Sequence, residues 1–165
     1  MTAATSSGES ARTSAEWENG ELVITRPFDA PRALVFGTWT DAEHFARWFG
    51  PEGTTLPHCI VDARPGGTLH FCHRHANGED VWVRGVYHEV VPPERIAFTC
   101  WFSDAAGGRV ERPAFPAEMR LAATFTEHAG GTLLTIRQAG LVTDQGEVQG
   151  WTETMDRLGR LLAHD

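Results

Sequence analysis

The sequence ends in a long amphipathic segment at residues 144–163, which reads DQGEVQGWTETMDRLGRLLA. Its large apolar side chains recur at helical spacing on one face: Val148, Trp151, Met155, Leu158 and Leu162. Asp144 and Glu147 have the spacing of a capping box, which predicts where the helix begins. About twenty residues span roughly 30 Å, enough to cross a small domain. We therefore predict a long C-terminal helix whose apolar stripe packs against the rest of the chain.

The chain before this helix alternates between apolar and polar residues and is punctuated by turn signals, as is typical of β-strands. The predicted strands are residues 21–26, 58–64, 68–75, 81–91, 95–102, 118–127 and 132–138. Most connections are short, for example Asn77-Gly78 and Gly130-Gly131, and short connections require antiparallel pairing. After the first strand, residues 31–39 and 40–49 are predicted to form two short helices, the second capped by Thr40.

This order of elements predicts an α+β fold, with a curved antiparallel sheet of about seven strands around the long C-terminal helix. The sheet has one apolar face to cover, and only the last helix is long enough to cover it. A bent sheet that grips one helix leaves space at its open end, which the two short helices would close. Apolar pockets of this kind are the default ligand sites of small domains. Residues 1–15 are small and polar, and we predict a disordered tail there and one domain at 16–165.

Composition narrows the classes of partner. The net charge is −8 and lysine is absent, which argues against nucleic acid and against an anionic membrane surface. The N-terminal residues lack the apolar run of a signal peptide, and no stretch reaches the length of a membrane span, so we expect a cytoplasmic protein. Cys59, Cys72 and Cys100 are odd in number and widely spaced, which favours reduced thiols over a disulfide framework. Whether the chain is a monomer or a homodimer stays open.

Several segments of the chain resemble one protein family. They are ITRPFDAPRALVFGTWTDAEHFARWFGP at 24–51, DARPGGTLHF at 62–71, GVYHEVVPPERIAFTCW at 85–101, GGTLLTIRQAGL at 130–141 and GWTETMDRLGRLL at 150–162. In this order they resemble the START-like, or birch-pollen-allergen-like, superfamily (SRPBCC), which implies the helix-grip fold. Within it, the chain is similar to the activator of heat-shock-protein-90 ATPase homologue group, also described as polyketide-cyclase-like. The resemblance covers residues 21–163.

The candidate ligand-binding residues are mostly large rings on the short helices, the middle strands and the long helix. They are Trp39, Trp48, Phe49, His73, Tyr87, Trp101, Gln138, Trp151 and Met155. Trp is bulky and seldom packs perfectly, which favours a cavity lining over a solid core. His73 would be a polar group inside the cavity or an exposed histidine, and Gln138 a hydrogen-bond anchor or a strand-end cap. The histidines and cysteines lack the spacing of a zinc site, so we expect no metal and no cofactor.

Three functions are compatible with these features, because a fold does not fix an activity. The first is the binding, sequestration or transport of a small hydrophobic molecule in the internal cavity. The second is a polyketide cyclase or aromatase that uses the same cavity, with His73 or Tyr87 as acid or base. The third is a co-chaperone-like module that binds a protein through its sheet surface. The segment 103–117, rich in Gly and Pro, would be a binding loop or an irregular insertion.

Overall fold

The computed structural model describes residues 12–113, 115–141, 144 and 146–164. Within these residues the strands are β1 (Ser14–Glu18), β2 (Glu21–Phe28), β3 (Thr55–Val61), β4 (Thr68–Arg74), β5 (Asp80–Val91), β6 (Arg95–Ser103), β7 (Met119–His128) and β8 (Gly131–Ala139). The helices are α1 (Arg32–Thr40), α2 (Ala42–Trp48) and α3 (Glu147–His164). None of the helices in the described part combines the length and the apolar character needed to cross a bilayer.

The strands form one antiparallel sheet in the order β1-β2-β8-β7-β6-β5-β4-β3. Successive strands pair with each other, except that β2 pairs with β8. Between β2 and β3 the chain therefore passes from one side of the sheet to the other, and α1 and α2 lie in this passage. The arrangement confirms the predicted α+β helix-grip fold, with eight strands in the described residues where the sequence predicts about seven.

The additional strand is β1, which the sequence pattern does not indicate. All five of its residues are exposed, so it lacks the alternation that marks a half-buried strand. It pairs with β2 along its whole length through a tight turn at Asn19 and Gly20, both of which have positive φ. Ser14 and Ala15, which the sequence analysis assigns to the tail, lie in this strand, whereas residues 1–11 lie outside the described part.

Helix α3 packs its apolar stripe against the inner face of the sheet. Met155 and Leu158 have no exposed surface, and Trp151 and Leu162 are nearly as buried. They join one core with the inward-facing residues of β2 and β8, which are Leu22, Ile24, Leu134 and Ile136. This confirms the predicted stripe at every position except Val148, which is only partly buried. The sheet therefore fixes the position of α3. The position of α3 in turn determines how much space remains between the helix and the inner face of the sheet.

Two aspartates cap the helices. The Asp144 carboxylate accepts hydrogen bonds from the backbone N–H groups of Gly146 and Val148, at 3.0 and 3.3 Å, and begins α3 as predicted. Asp41, rather than the predicted Thr40, caps α2, since its carboxylate accepts the His44 backbone N–H at 3.2 Å. Thr40 is instead the last residue of α1.

The loop that follows α2 is tied to α3 by one arginine. The Arg157 guanidinium donates to the carbonyl oxygens of Gly50 at 2.9 Å, Pro51 at 3.1 Å and Arg47 at 3.2 Å. These carbonyls belong to the end of α2 and the turn after it, where a helix leaves acceptors without intrahelical partners. Arg157 therefore fixes the loop over one end of the space between α3 and the sheet.

Candidate functional site

A cleft of about 220 Å³ lies between the inner face of the sheet and the first turns of α3. Its apolar walls come from neighbouring strands of the sheet, the end of α2 and the long helix: Phe49, Phe71, Val83, Phe98, Leu121 and Trp151. Strand alternation explains the contributions of the sheet, because every second side chain of a strand points to the same face. On β6, for example, Phe98, Cys100 and Phe102 all line the cleft.

A glycine on α3 helps to keep this space open. Gly150 lines the cleft, and a Cβ atom built on it would meet no other atom within 4 Å. Any larger side chain at this position would project into open space beside the helix. Glycine costs roughly 0.5–1 kcal/mol relative to alanine in the middle of a helix, and Gly150, the fourth residue of α3, carries part of this cost. The helix thus carries an unfavourable residue at a point where a side chain would occupy the cleft.

His73 forms a polar part of the cleft wall. Its ring stacks on Phe49, with 5.8 Å between the centroids and 13° between the planes. Burial lowers the pKa of His73 to about 4, and although a hydrogen bond to the Phe49 backbone acts in the opposite direction, the ring is neutral at pH 7. Its Nε2 atom is buried and has no hydrogen-bond partner among the described residues.

Gly50 makes room for this histidine. A Cβ atom at Gly50 would lie 2.8 Å from His73 Nε2 and 2.7 Å from Thr54 Oγ1, closer than atoms pack. The φ angle of Gly50 is +122°, a conformation that other residues rarely adopt. Both the limited space and the backbone conformation therefore require glycine at position 50, in the turn after α2.

The other polar anchor is Gln138 on β8, which is held by α3. Its Oε1 accepts a hydrogen bond from the Trp151 indole N–H at 2.8 Å. Among the described residues, its Nε2 donates only to the Met119 sulfur, at 3.6 Å. All three residues line the cleft. A polar group in an apolar wall is thus held in one orientation by a neighbour on the facing helix.

The remaining polar groups of the wall are uncharged, with one exception. Burial raises the pKa of the Cys100 thiol to about 12, so it is protonated at neutral pH and is not a nucleophile. The Thr154 hydroxyl donates to the Gly150 carbonyl at 2.7 Å. Glu147, at the first turn of α3, is the one lining carboxylate among the described residues. The cleft is therefore a mainly apolar and nearly uncharged space.

Of the nine residues predicted from the sequence, the structure brings four together in the cleft wall: Phe49, His73, Gln138 and Trp151. Trp39, Trp48, Tyr87 and Met155 lie in the core instead, each at most 2% exposed. The rings of Trp39 and Trp48 are 5.0 Å apart and pack on each other beneath α1 and α2. The Trp48 indole donates to the Thr38 carbonyl at 2.9 Å, so its polar end is already occupied.

Trp101 lies on the opposite face of the sheet. It follows Cys100 on β6, and adjacent residues of a strand point to opposite faces. The guanidinium of Arg109 covers its ring at 4.3 Å from the centroid. Phe98, Phe102 and Leu121 also line the cleft, although the sequence prediction does not include them. They lie at alternate positions of predicted strands, and this alternation is the signal that indicates them.

The segment 103–117 packs beside β6 and forms a cavity of its own. The rings of Phe102 and Phe115 lie 5.2 Å apart, and the Arg112 guanidinium lies 5.1 Å from the Phe102 centroid. This second cavity measures about 490 Å³ and is lined by charged as well as apolar residues of the segment. Phe102 lines both cavities, so the segment adjoins the cleft at that ring.

Comparisons with known proteins place the chain in a family. The model of the family described as Activator of Hsp90 ATPase homolog 1-like protein matches residues 29–163. A crystal structure of a protein from Chromobacterium violaceum is 27% identical over 90% of this chain and 100% of that one, with a TM-score of 0.77. The AHSA1 protein from Silicibacter pomeroyi is 23% identical over 87% and 98% of the two chains, with a TM-score of 0.74. No curated protein matches. The chain belongs to the family of Activator of Hsp90 ATPase homolog 1-like proteins.

Proposed function

We propose that this protein binds a small apolar molecule in the cleft between α3 and the sheet, and so sequesters or carries it. The observation that carries the proposal is the cleft itself: about 220 Å³ of space with almost entirely apolar walls and only a few fixed polar groups. Small-molecule sites have this composition, in which apolar walls supply binding energy and a few polar groups set orientation. The glycine at position 150 supports it, because the residue lowers helix stability and leaves the space open.

The two other functions considered from the sequence have less support. A cyclase would need an acid or base in the cleft, but Tyr87 lies in the core, where burial raises its pKa. His73 lines the cleft, yet its pKa of about 4 makes it a weak base at neutral pH. For a co-chaperone-like module, no described surface indicates a particular protein partner. Binding without catalysis is therefore the function that we propose.

The proposal is tested with 2-isopropylnaphthalene, a flat apolar probe. We expect it to quench Trp fluorescence saturably, because Trp151 lies in the wall, and to raise the melting temperature, because it binds only the folded state. The variant Gly150→Leu fills the cleft without meeting a neighbour at Cβ, and it should abolish both effects while the protein stays folded.

The matched control is Gly37→Leu. Gly37 is also a helical glycine with no atom within 4 Å of a Cβ, but it does not line the cleft. This variant should bind the probe like the unmodified protein. If the unmodified protein gives no saturable signal, or if Gly150→Leu binds as well as Gly37→Leu, the cleft is not a binding site for apolar molecules.

A further inference from the structure

The orientation of the Gln138 side-chain amide follows from its neighbour. The Trp151 indole N–H can only donate a hydrogen bond, and it lies 2.8 Å from one end of the amide. That end must therefore be the carbonyl oxygen, and the NH₂ group must be at the other end. This settles an assignment that is otherwise ambiguous for glutamine.

The NH₂ group is poorly satisfied. One of its two N–H bonds points to the Met119 sulfur at 3.6 Å, and a thioether is a weak acceptor. In the described part of the chain, the second N–H has no acceptor. Gln138 and Met119 both line the cleft, so this donor lies at the cleft wall. A polar group without a full partner in an apolar environment costs free energy, which a suitable ligand atom would recover.

The surroundings of this donor decide what kind of acceptor it suits. The lining residues of the described part include no arginine, and His73 is uncharged at neutral pH, so no cation is present to pair with a carboxylate or phosphate. Glu147 in the lining adds negative charge, which disfavours an anion further. An uncharged oxygen, such as that of a ketone, needs no such partner.

We propose that Gln138, held by Trp151, selects ligands that carry a neutral hydrogen-bond acceptor such as a carbonyl oxygen on an apolar body. This inference rests on the proposed function, because it assigns the ligand class of the same cleft. Gln138 acts here as a specificity-determining residue, and Trp151 acts as the positioning residue that turns its NH₂ group toward the ligand.

The test compares 2-acetylnaphthalene with 2-isopropylnaphthalene, in which a methyl group replaces the carbonyl oxygen. Affinities for both are measured by equilibrium dialysis with the unmodified protein, with Gln138→Glu at pH 8 and with Gln138→Met. An ionised glutamate keeps the acceptor for Trp151 but has no donor, and methionine has no donor and only a weak acceptor in its sulfur. We expect the ratio of the two affinities, acetyl over isopropyl, to fall about three- to tenfold in both variants, which is the usual net effect of one hydrogen bond.

The outcomes separate the two proposals. If both probes bind the unmodified protein and the ratio is unchanged in both variants, Gln138 does not select a carbonyl, although the cleft still binds apolar molecules. If neither probe binds the unmodified protein, the proposed function fails and this inference fails with it. Melting temperatures of the two variants show that each is folded, and Gln138→Met keeps the test decisive if the buried charge of Gln138→Glu unfolds the chain.

Discussion

At the scale of single residues, His73 shows how a polar group can sit in an apolar wall. The ring stacks on Phe49, with 5.8 Å between the centroids, and packs at an angle against Phe71, with 4.9 Å between the centroids. Burial there disfavours the imidazolium and lowers the pKa of His73, and electrostatic repulsion from the nearby Arg157 acts in the same direction. The histidine is therefore held in its neutral form by packing and not by a carboxylate partner.

Because His73 is buried in its neutral form, the stability of the folded protein should depend on pH. The folded pKa of about 4 lies below the ordinary value of 6.5, so the unfolded chain binds more protons between these pH values. The free energy of unfolding should therefore decrease as the pH falls from about 6.5 to about 4, by an amount on the order of 3 kcal/mol from this residue. Urea unfolding at pH 7, 5.5 and 4.5 measures it, with His73→Phe as the comparison.

Phenylalanine can stack on Phe49 but cannot titrate, so His73→Phe should lose stability less steeply over this range. The variant His73→Leu supplies a second comparison, because leucine also cannot titrate. Its slope should match that of His73→Phe, which would show that the change comes from the lost imidazole and not from the new ring. Equal slopes for the unmodified protein and His73→Phe would show that His73 is not buried in its neutral form.

At the scale of elements, α3 both closes the core and forms one wall of the cleft. Its first turns, with Gly150 and Trp151, line the cleft, whereas Leu158 and Leu162 of its later turns are buried in the core that includes the inner faces of β2 and β8. The two halves of α3 thus have different roles. The C-terminal half anchors the helix in the core, and this positions the N-terminal half as a wall of the cleft.

The second half can be tested by removing one side chain. Leu158 has no exposed surface, so Leu158→Ala should lower the free energy of unfolding by roughly 2–5 kcal/mol. Leu161 is on the same helix but only partly buried, and Leu161→Ala should cost clearly less. Chemical denaturation of the two variants side by side gives the comparison. A Leu158→Ala protein as stable as Leu161→Ala would contradict the position that we assign to the stripe.

At the scale of the whole molecule, long periodic segments are what could be predicted from the sequence. The stripe of α3 and the strands from β4 to β8 follow from periodicity alone. Strand β3 is predicted at 58–64 but spans Thr55–Val61. It includes Pro57, which argues against a central strand but is tolerated in an edge strand such as this one. A strand's place in the sheet is a property of the whole fold, and so it could not be read from the segment.

The cleft could be predicted only in part for a similar reason. The large rings were expected to surround a cavity, and Phe49 and Trp151 do line it. Trp39 and Trp48 pack on each other instead, since whether two large side chains leave a space or fill it depends on how the elements meet. Composition identifies rings able to line a cavity, but only packing decides which of them do.

The N-terminus supplies the last prediction, because the sheet begins within the segment expected to be a tail. Thr13 Oγ1 accepts a hydrogen bond from Arg26 at 3.1 Å, and Arg26 also forms an ion pair of 2.6 Å with Asp156 on α3. Residues 1–11 are small and polar and lack an apolar periodicity, so we expect a chain beginning at Arg12 to keep its melting temperature.

A chain beginning at Asn19 should have a lower melting temperature, because it lacks β1 and leaves the edge of β2 that pairs with β1 without a partner strand. It also removes the Thr13 acceptor from Arg26, whose Nε is already buried with no partner in the described part of the chain. We expect a loss of about 1–2 kcal/mol, which lowers the melting temperature of a chain of this size by roughly 2–8 °C. Differential scanning calorimetry of both chains decides the matter. A drop with the Arg12 chain would show that residues 1–11 pack on the domain, and no drop with the Asn19 chain would show that β1 does not stabilise the sheet.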